Sequence, residues 1–223
     1  MQFTLPLKIN KKEYLIEDFI VTDEVKVVFD VLNIFFKQEN FDSAQFPNLI
    51  LKGKSQSGKT HLLNIFANDA NCKIIDASKL TKENLSNFLQ NSRFCILENI
   101  DEILSEELLL NSINLAKERE IFLLLTAKEV INSKIKDLNS RLRNIFEVEI
   151  LDPSTETIKY LLVNYFAKKQ LRFSGQIIDF IAENINRDYA SIINAVSVIE
   201  QENAKLNRII KLEEVRNLLS KAT

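Results

Sequence analysis

Metal chemistry is the first thing this chain is short of. It has one histidine, His61, and two cysteines, Cys72 and Cys95. Neither thiol has metal-ligand spacing and the imidazole has no cluster to join, which excludes a centre built on Cys and His. Both cysteines sit in apolar stretches and read as buried, reduced thiols, which points to the cytoplasm. No apolar run approaches the ~20 residues that span a bilayer. The first residues, "MQFTLPLKIN", are neither a signal nor a transit peptide, so no membrane partner is expected. A basic excess is missing too: 29 Lys and Arg face 31 Asp and Glu, a formal net charge of −2. Proteins that grip DNA by its phosphates usually carry a strong positive balance, so DNA is expected as an indirect partner at most. Repeats and low-complexity linkers are absent.

Glycine is scarce as well, with three residues. Two of them, Gly53 and Gly58, fall in one short loop, which marks a special backbone there. What the chain does have is ordinary globular composition, 46% hydrophobic and 27% charged over 223 residues. That is one large domain, or a domain with an appendage, with enough chain to bury a core.

Short apolar runs alternate with helical stretches. Thr22 is predicted to cap a helix that opens with Asp23 and Glu24 and runs to about Lys37. Its stretch "VVFDVLNIFF" reads as core or as a docking face. Strands are predicted at 49–51, 73–76, 94–98, 121–126 and 146–150, and helices at about 59–68, 82–90 and 105–117. The alternation predicts an α/β fold, a parallel five-stranded sheet with helices on both faces. At Pro153 the pattern changes. Ser154 can cap a helix whose Ile158, Leu161, Leu162, Tyr165 and Phe166 share one face, and further helices are expected near 175–186, 188–205 and 212–221. Residues from about 153 onward are therefore expected to form a separate helical bundle.

The loop reads Gly53-Lys54-Ser55-Gln56-Ser57-Gly58-Lys59-Thr60, the G-x-x-x-x-G-K-[ST] phosphate-loop pattern, between a strand and a helix. The glycines let backbone N–H groups converge on phosphate oxygens, and the helix presents its positive N-terminal end. Lys59 is expected to reach the β and γ phosphates, and the Thr60 hydroxyl to ligate magnesium. His61 follows on the helix and joins the candidate cofactor-binding set, although packing is its simpler role. In "FCILENID", residues 94–101, a buried strand ends in Glu98 and Asn99. Glu98 keeps a carboxylate in reach of magnesium. Asn99 is neutral: it can orient a water but cannot take its proton. The nucleotide, ADP or ATP, is expected to be held better than hydrolysed.

Phosphate loop, strand-end acid, a fourth strand ending in Thr126 and a C-terminal helical lid resemble the layout of AAA+ proteins. The likeness narrows in detail. "GKTHLL" (58–63) closely resembles the replication initiator DnaA, and "EYLIEDFIV" (13–21) looks like that family's lead-in segment beside the adenine. "LTAKE" (125–129) resembles its first sensor region, and "DLNSRLRNIFEVEILDPSTETI" (137–158) its passage into the lid. The resemblance runs from about residue 13 to 221. No helix-turn-helix segment is expected after the lid, and only Ala77 to Ser92 stand where the initiator has a longer helical insertion. What remains is similar to the Hda branch of the DnaA/Hda family, which inactivates the initiator after replication starts.

The resemblance implies a division into an N-terminal segment (1–12), an AAA+ core (13–152) and a helical lid (153–223). "QFTLPL" resembles the peptide with which such proteins bind the DNA polymerase III sliding clamp, through Gln2, Phe3, Leu5, Pro6 and Leu7. Gln2 would make paired hydrogen bonds and the leucines fill a pocket. DnaA is the implied second partner, and self-association stays open. Arg141 falls where the branch has the arginine lent to DnaA-bound ATP. Arg143 is the runner-up, and an ungapped match to the initiator puts that position at Ile145. For the lid's sensor arginine the alignment offers Ala190, with Arg187 one turn earlier. Two alternatives remain: an ATP-hydrolysing helicase loader, and a nucleotide-gated clamp adaptor without an arginine finger.

Overall fold

The structure, a computed structural model, describes residues 20–41, 44, 45, 47–70, 72–103, 105–129 and 131–220. The segment 1–12, with Gln2, Phe3, Leu5, Pro6 and Leu7, lies outside the described residues.

Five strands, β1 (Asn48–Lys52), β2 (Lys73–Asp76), β3 (Phe94–Glu98), β4 (Phe122–Ala127) and β5 (Phe146–Glu149), form one sheet in the order β2-β3-β4-β1-β5. Every neighbouring pair is parallel. Side chains alternate along a strand, so each central strand feeds two cores. Leu49, Leu51, Phe94, Ile96, Phe122 and Leu124 point to one face, where α1 (Asp23–Lys37) and α2 (Lys59–Asp69) pack. Ile50, Cys95, Leu97, Leu123 and Leu125 point to the other, against α3 (Lys82–Phe88), α4 (Glu106–Glu118) and α5 (Lys136–Arg143).

The last four helices are α6 (Thr155–Lys168), α7 (Gly175–Asn184), α8 (Tyr189–Leu206) and α9 (Leu212–Leu219). Their buried faces join the same apolar cluster as α1, α2 and the first sheet face. The bundle expected to be separate thus shares its core with the sheet domain. Helix α1 contributes to the core from one side only. Val28, Leu32 and Phe35 are buried, while Val27 and Ile34 are exposed.

Several local expectations change. Helix α5 was not foreseen: its eight residues hold only two buried side chains, Leu138 and Leu142 at i and i+4. Thr22 stands at the N-cap of α1, but its hydroxyl makes no capping bond. Cys72 is half-buried, not buried like Cys95, and both thiols are free.

The junction of core and lid is fastened by Glu24. Its carboxylate accepts the Ser154 N–H (2.8 Å) and the Thr157 hydroxyl (2.9 Å), tying the first turn of α1 to the first turn of α6. Burial alone would raise its pKa; the N–H of Ser154 and further donors outweigh that and hold it at about 2. A depressed carboxylate pKa stabilises the fold above the unfolded value, near 4.5, and the effect is lost as pH falls toward 2. Glu24→Gln is therefore expected to lower stability to denaturant at neutral pH, with the gap to wild type closing on acidification through that window. A gap that stays constant with pH would assign the loss to packing.

Candidate functional site

Strand β4 lies between β1 and β3, so the loop after β1, the end of β3 and the end of β4 meet at one edge of the sheet. This carboxyl edge is where open α/β sheets place ligands.

The phosphate loop needs its glycines. Gly58 stands at the N-cap of α2 with φ +93°, where any side chain would be strained. A Cβ on Gly53 would lie 2.8 Å from Ser57 Oγ and 3.3 Å from Ile150 Cβ. Ser57 is buried, and its hydroxyl has no hydrogen-bond partner in the described residues. Lys54, Ser55, Gln56 and Thr60 are exposed, and Lys54 pairs with Asp152 at 2.5 Å. Lys59 is 8% exposed; its ammonium donates to the carbonyls of Gly53 and Lys54, the latter at 3.0 Å. Burial lowers its pKa, and Asp101 and Glu98 act against that.

Thr60 Oγ1 donates to Glu98 Oε1 at 2.7 Å. The two groups expected to share magnesium are thus side by side. Among the described residues no cluster of three or more His, Cys, Asp or Glu is arranged for a metal, so these oxygens would rely on phosphate and water to complete a shell. Asn99 has left-handed backbone, φ +57° and ψ +50°. Its N–H donates to Thr126 Oγ1 (2.9 Å), and its amide nitrogen to Asp76 Oδ2 (2.7 Å). Thr126 is 1% exposed, so it braces Asn99 from behind. Asp76, at the end of β2, went unread in the sequence. Only its register opposite Glu98 brings it here.

Beside the loop opens a cleft of about 200 Å³. Ile20, Val25 and His61 line it from the core side, and Leu161, Tyr165 and Tyr189 from the lid. Leu161 and Tyr165 were read as part of a packing face, and Tyr189 went unread. Burial pushes the Tyr189 hydroxyl up to about 12. A slot lined by these apolar and aromatic side chains beside the N-terminus of α2 suits a flat base with a phosphate tail. Neither Ala190 nor Arg187 lines this cleft; Arg187 is exposed just before α8. Arg141 and Arg143 occupy the last turn of α5. Arg141 pairs with Asp137 at 3.3 Å, and Arg143 is exposed. Ile145 is buried in the second core.

The neighbours of this architecture are informative. Domain III of the Thermotoga maritima replication initiation protein DnaA superposes with a TM-score of 0.76 at 15% identity, over 95% of this chain and 97% of that one. AMPPCP-bound DnaA from Aquifex aeolicus superposes with a TM-score of 0.69 at 18% identity, over 85% and 66%. In sequence, the chain is 26% identical over 219 residues to the chromosomal replication initiator protein DnaA of Helicobacter hepaticus. The chain thus resembles DnaA in sequence and shares the fold of its domain III. The match takes in 87% of this chain but 46% of the initiator, so the chain spans about half the length of that relative. No protein-family model matches. Among the described residues no helix is long and apolar enough to cross a membrane.

Proposed function

We propose that this DnaA-like chain is a nucleotide-holding regulator of replication initiation of the Hda type. It binds ADP or ATP between the phosphate loop and the lid. It docks on the sliding clamp through Gln2, Phe3, Leu5, Pro6 and Leu7, and lends an arginine of α5 to ATP bound by DnaA. The observation that carries the reading is Asn99. Where a motor needs a second carboxylate to poise water, this chain has the neutral amide of Asn99, which donates to Asp76, on a backbone whose N–H donates to Thr126 and whose carbonyl accepts from the Glu102 N–H. An amide cannot accept the proton of an attacking water, and general-base help of this kind is worth roughly 10²–10⁴ in rate. The adenine nucleotide itself is supported by the cleft beside the loop and by the AMPPCP-bound initiator of like fold. Magnesium would sit between Thr60 and Glu98.

Purified protein given ATP and magnesium is expected to turn over at no more than a background rate while still binding ADP. Sustained turnover would instead favour the motor or helicase-loader reading. Clamp docking is tested by pull-down of the DNA-loaded clamp: Gln2→Ala with Leu5→Ala should abolish it, and retained binding would remove the N-terminal segment from that role.

A further inference from the structure

We propose that Asp76 is a specificity-determining residue of the nucleotide site, acting through Asn99 to favour a nucleoside diphosphate over a triphosphate. The proposal rests on the reading that the cleft holds a nucleotide.

The register of β2 on β3 sets Asp76 opposite Glu98, beside the strand end that carries Asn99. Asp76 is itself anchored: its Oδ1 accepts the Ser78 N–H at 3.0 Å and the Ser78 hydroxyl. Its Oδ2 faces Asn99 Nδ2 at 2.7 Å. An ionised carboxylate only accepts, so the group it meets must be the amide nitrogen. Asn99 Oδ1 is therefore turned away from Asp76. The Asn99 N–H is committed to Thr126, and the Asn99 carbonyl accepts from Glu102 at 2.8 Å. The residue is locked with its donors facing the protein.

A third phosphate would extend past Lys59 and Thr60 toward the end of β3. The Thr60 hydroxyl already donates to Glu98, and the Lys59 ammonium to two loop carbonyls. At the strand end the Glu98 carboxylate is an acceptor and the Asn99 amide nitrogen is turned to Asp76, so neither offers the third phosphate a donor. A diphosphate stops short of this edge and is indifferent to it. Were Asn99 free to turn, its amide nitrogen could donate to the third phosphate. A hydrogen bond to a charged group is worth enough for about a tenfold change in affinity.

The test is equilibrium titration of the full chain with ADP and with the non-hydrolysable AMPPCP. Asp76→Ala is expected to raise the AMPPCP-to-ADP affinity ratio about tenfold, with ADP affinity unchanged. Asp76→Asn keeps an oxygen acceptor opposite Asn99 and is expected to stay near the wild-type ratio. Should Asp76→Ala fail to fold, Asp76→Val removes the acceptor with a side chain suited to a strand end, and the same rise is expected. An unchanged ratio in the soluble variants would overturn the proposal. So would an equal rise in Asp76→Asn, which would assign the effect to charge alone. If the wild type binds neither nucleotide, the reading of the cleft fails; normal ADP binding with an unmoved ratio sinks Asp76's role only.

Discussion

Lys59→Ala is expected to weaken ADP binding about 100-fold, a loss of about 2.7 kcal/mol, while the protein stays folded. The ammonium is nearly buried at the start of α2 and spans the loop, donating to the carbonyls of Gly53 and Lys54. It therefore shapes the loop and, in the proposed role, would bring the positive charge that a phosphate meets there. Its pKa is lowered chiefly by burial, so a bound anion would favour its charged form and gain from it. Alanine removes the charge and leaves two carbonyls without their donor. Lys54→Ala is the useful contrast. Lys54 is exposed and paired with Asp152, so its loss should change ADP affinity far less. Equal losses for the two lysines would mean that net charge, not the built loop, holds the phosphate. Thermal unfolding of both variants separates binding from folding.

The reach of the sequence differs along the site, for physical reasons. The phosphate loop was legible because its parts are adjacent in the chain: strand, glycines, lysine and helix start form one local unit. The central strands were legible because burial on both faces leaves continuous apolar runs, as in "FCIL" and "FLLL". Helix α5 was missed because the second core needs only Leu138 and Leu142 from it, too few to give a period. Asp76 was missed because its meaning comes from pairing across the sheet, and spacing along the chain carries no trace of that. Likewise Leu161 and Tyr165 read as core positions of a lid helix, yet the packing of lid on α1 makes them, with Tyr189, a cleft wall. Ile145, offered by an ungapped match as an arginine position, is 8% exposed beneath α5. A shift of a few residues on a short polar helix moves a position from surface to core.

Arg141→Ala is expected to cut the stimulation of DnaA-bound ATP hydrolysis by ~10³, measured with DNA-loaded clamp present, because an arginine finger neutralises charge that develops in the transition state. Both candidates sit in the last turn of α5, where the helix dipole favours a cation. Arg141 is held to Asp137 by an ion pair on the helix surface, with the arginine side chain 35% exposed and the aspartate 57%. Such pairs contribute 0–1 kcal/mol, so a partner's phosphate can displace Asp137 at small cost. Arg143 makes no ion pair with a described residue and lines a polar surface with Asn139, Ser140 and Asn144. It competes for the same role by being free already. The paired variants decide: loss in Arg143→Ala alone moves the finger two residues on, and loss in neither removes α5 from the chemistry and leaves a clamp adaptor. ADP affinity is the control. Helix α5 packs on the sheet face opposite α1 and α2 and contributes nothing to the cleft, so both arginine variants should bind ADP as wild type does. A variant that lost ADP as well would have failed through its fold, and its silence on DnaA would say nothing about the arginine.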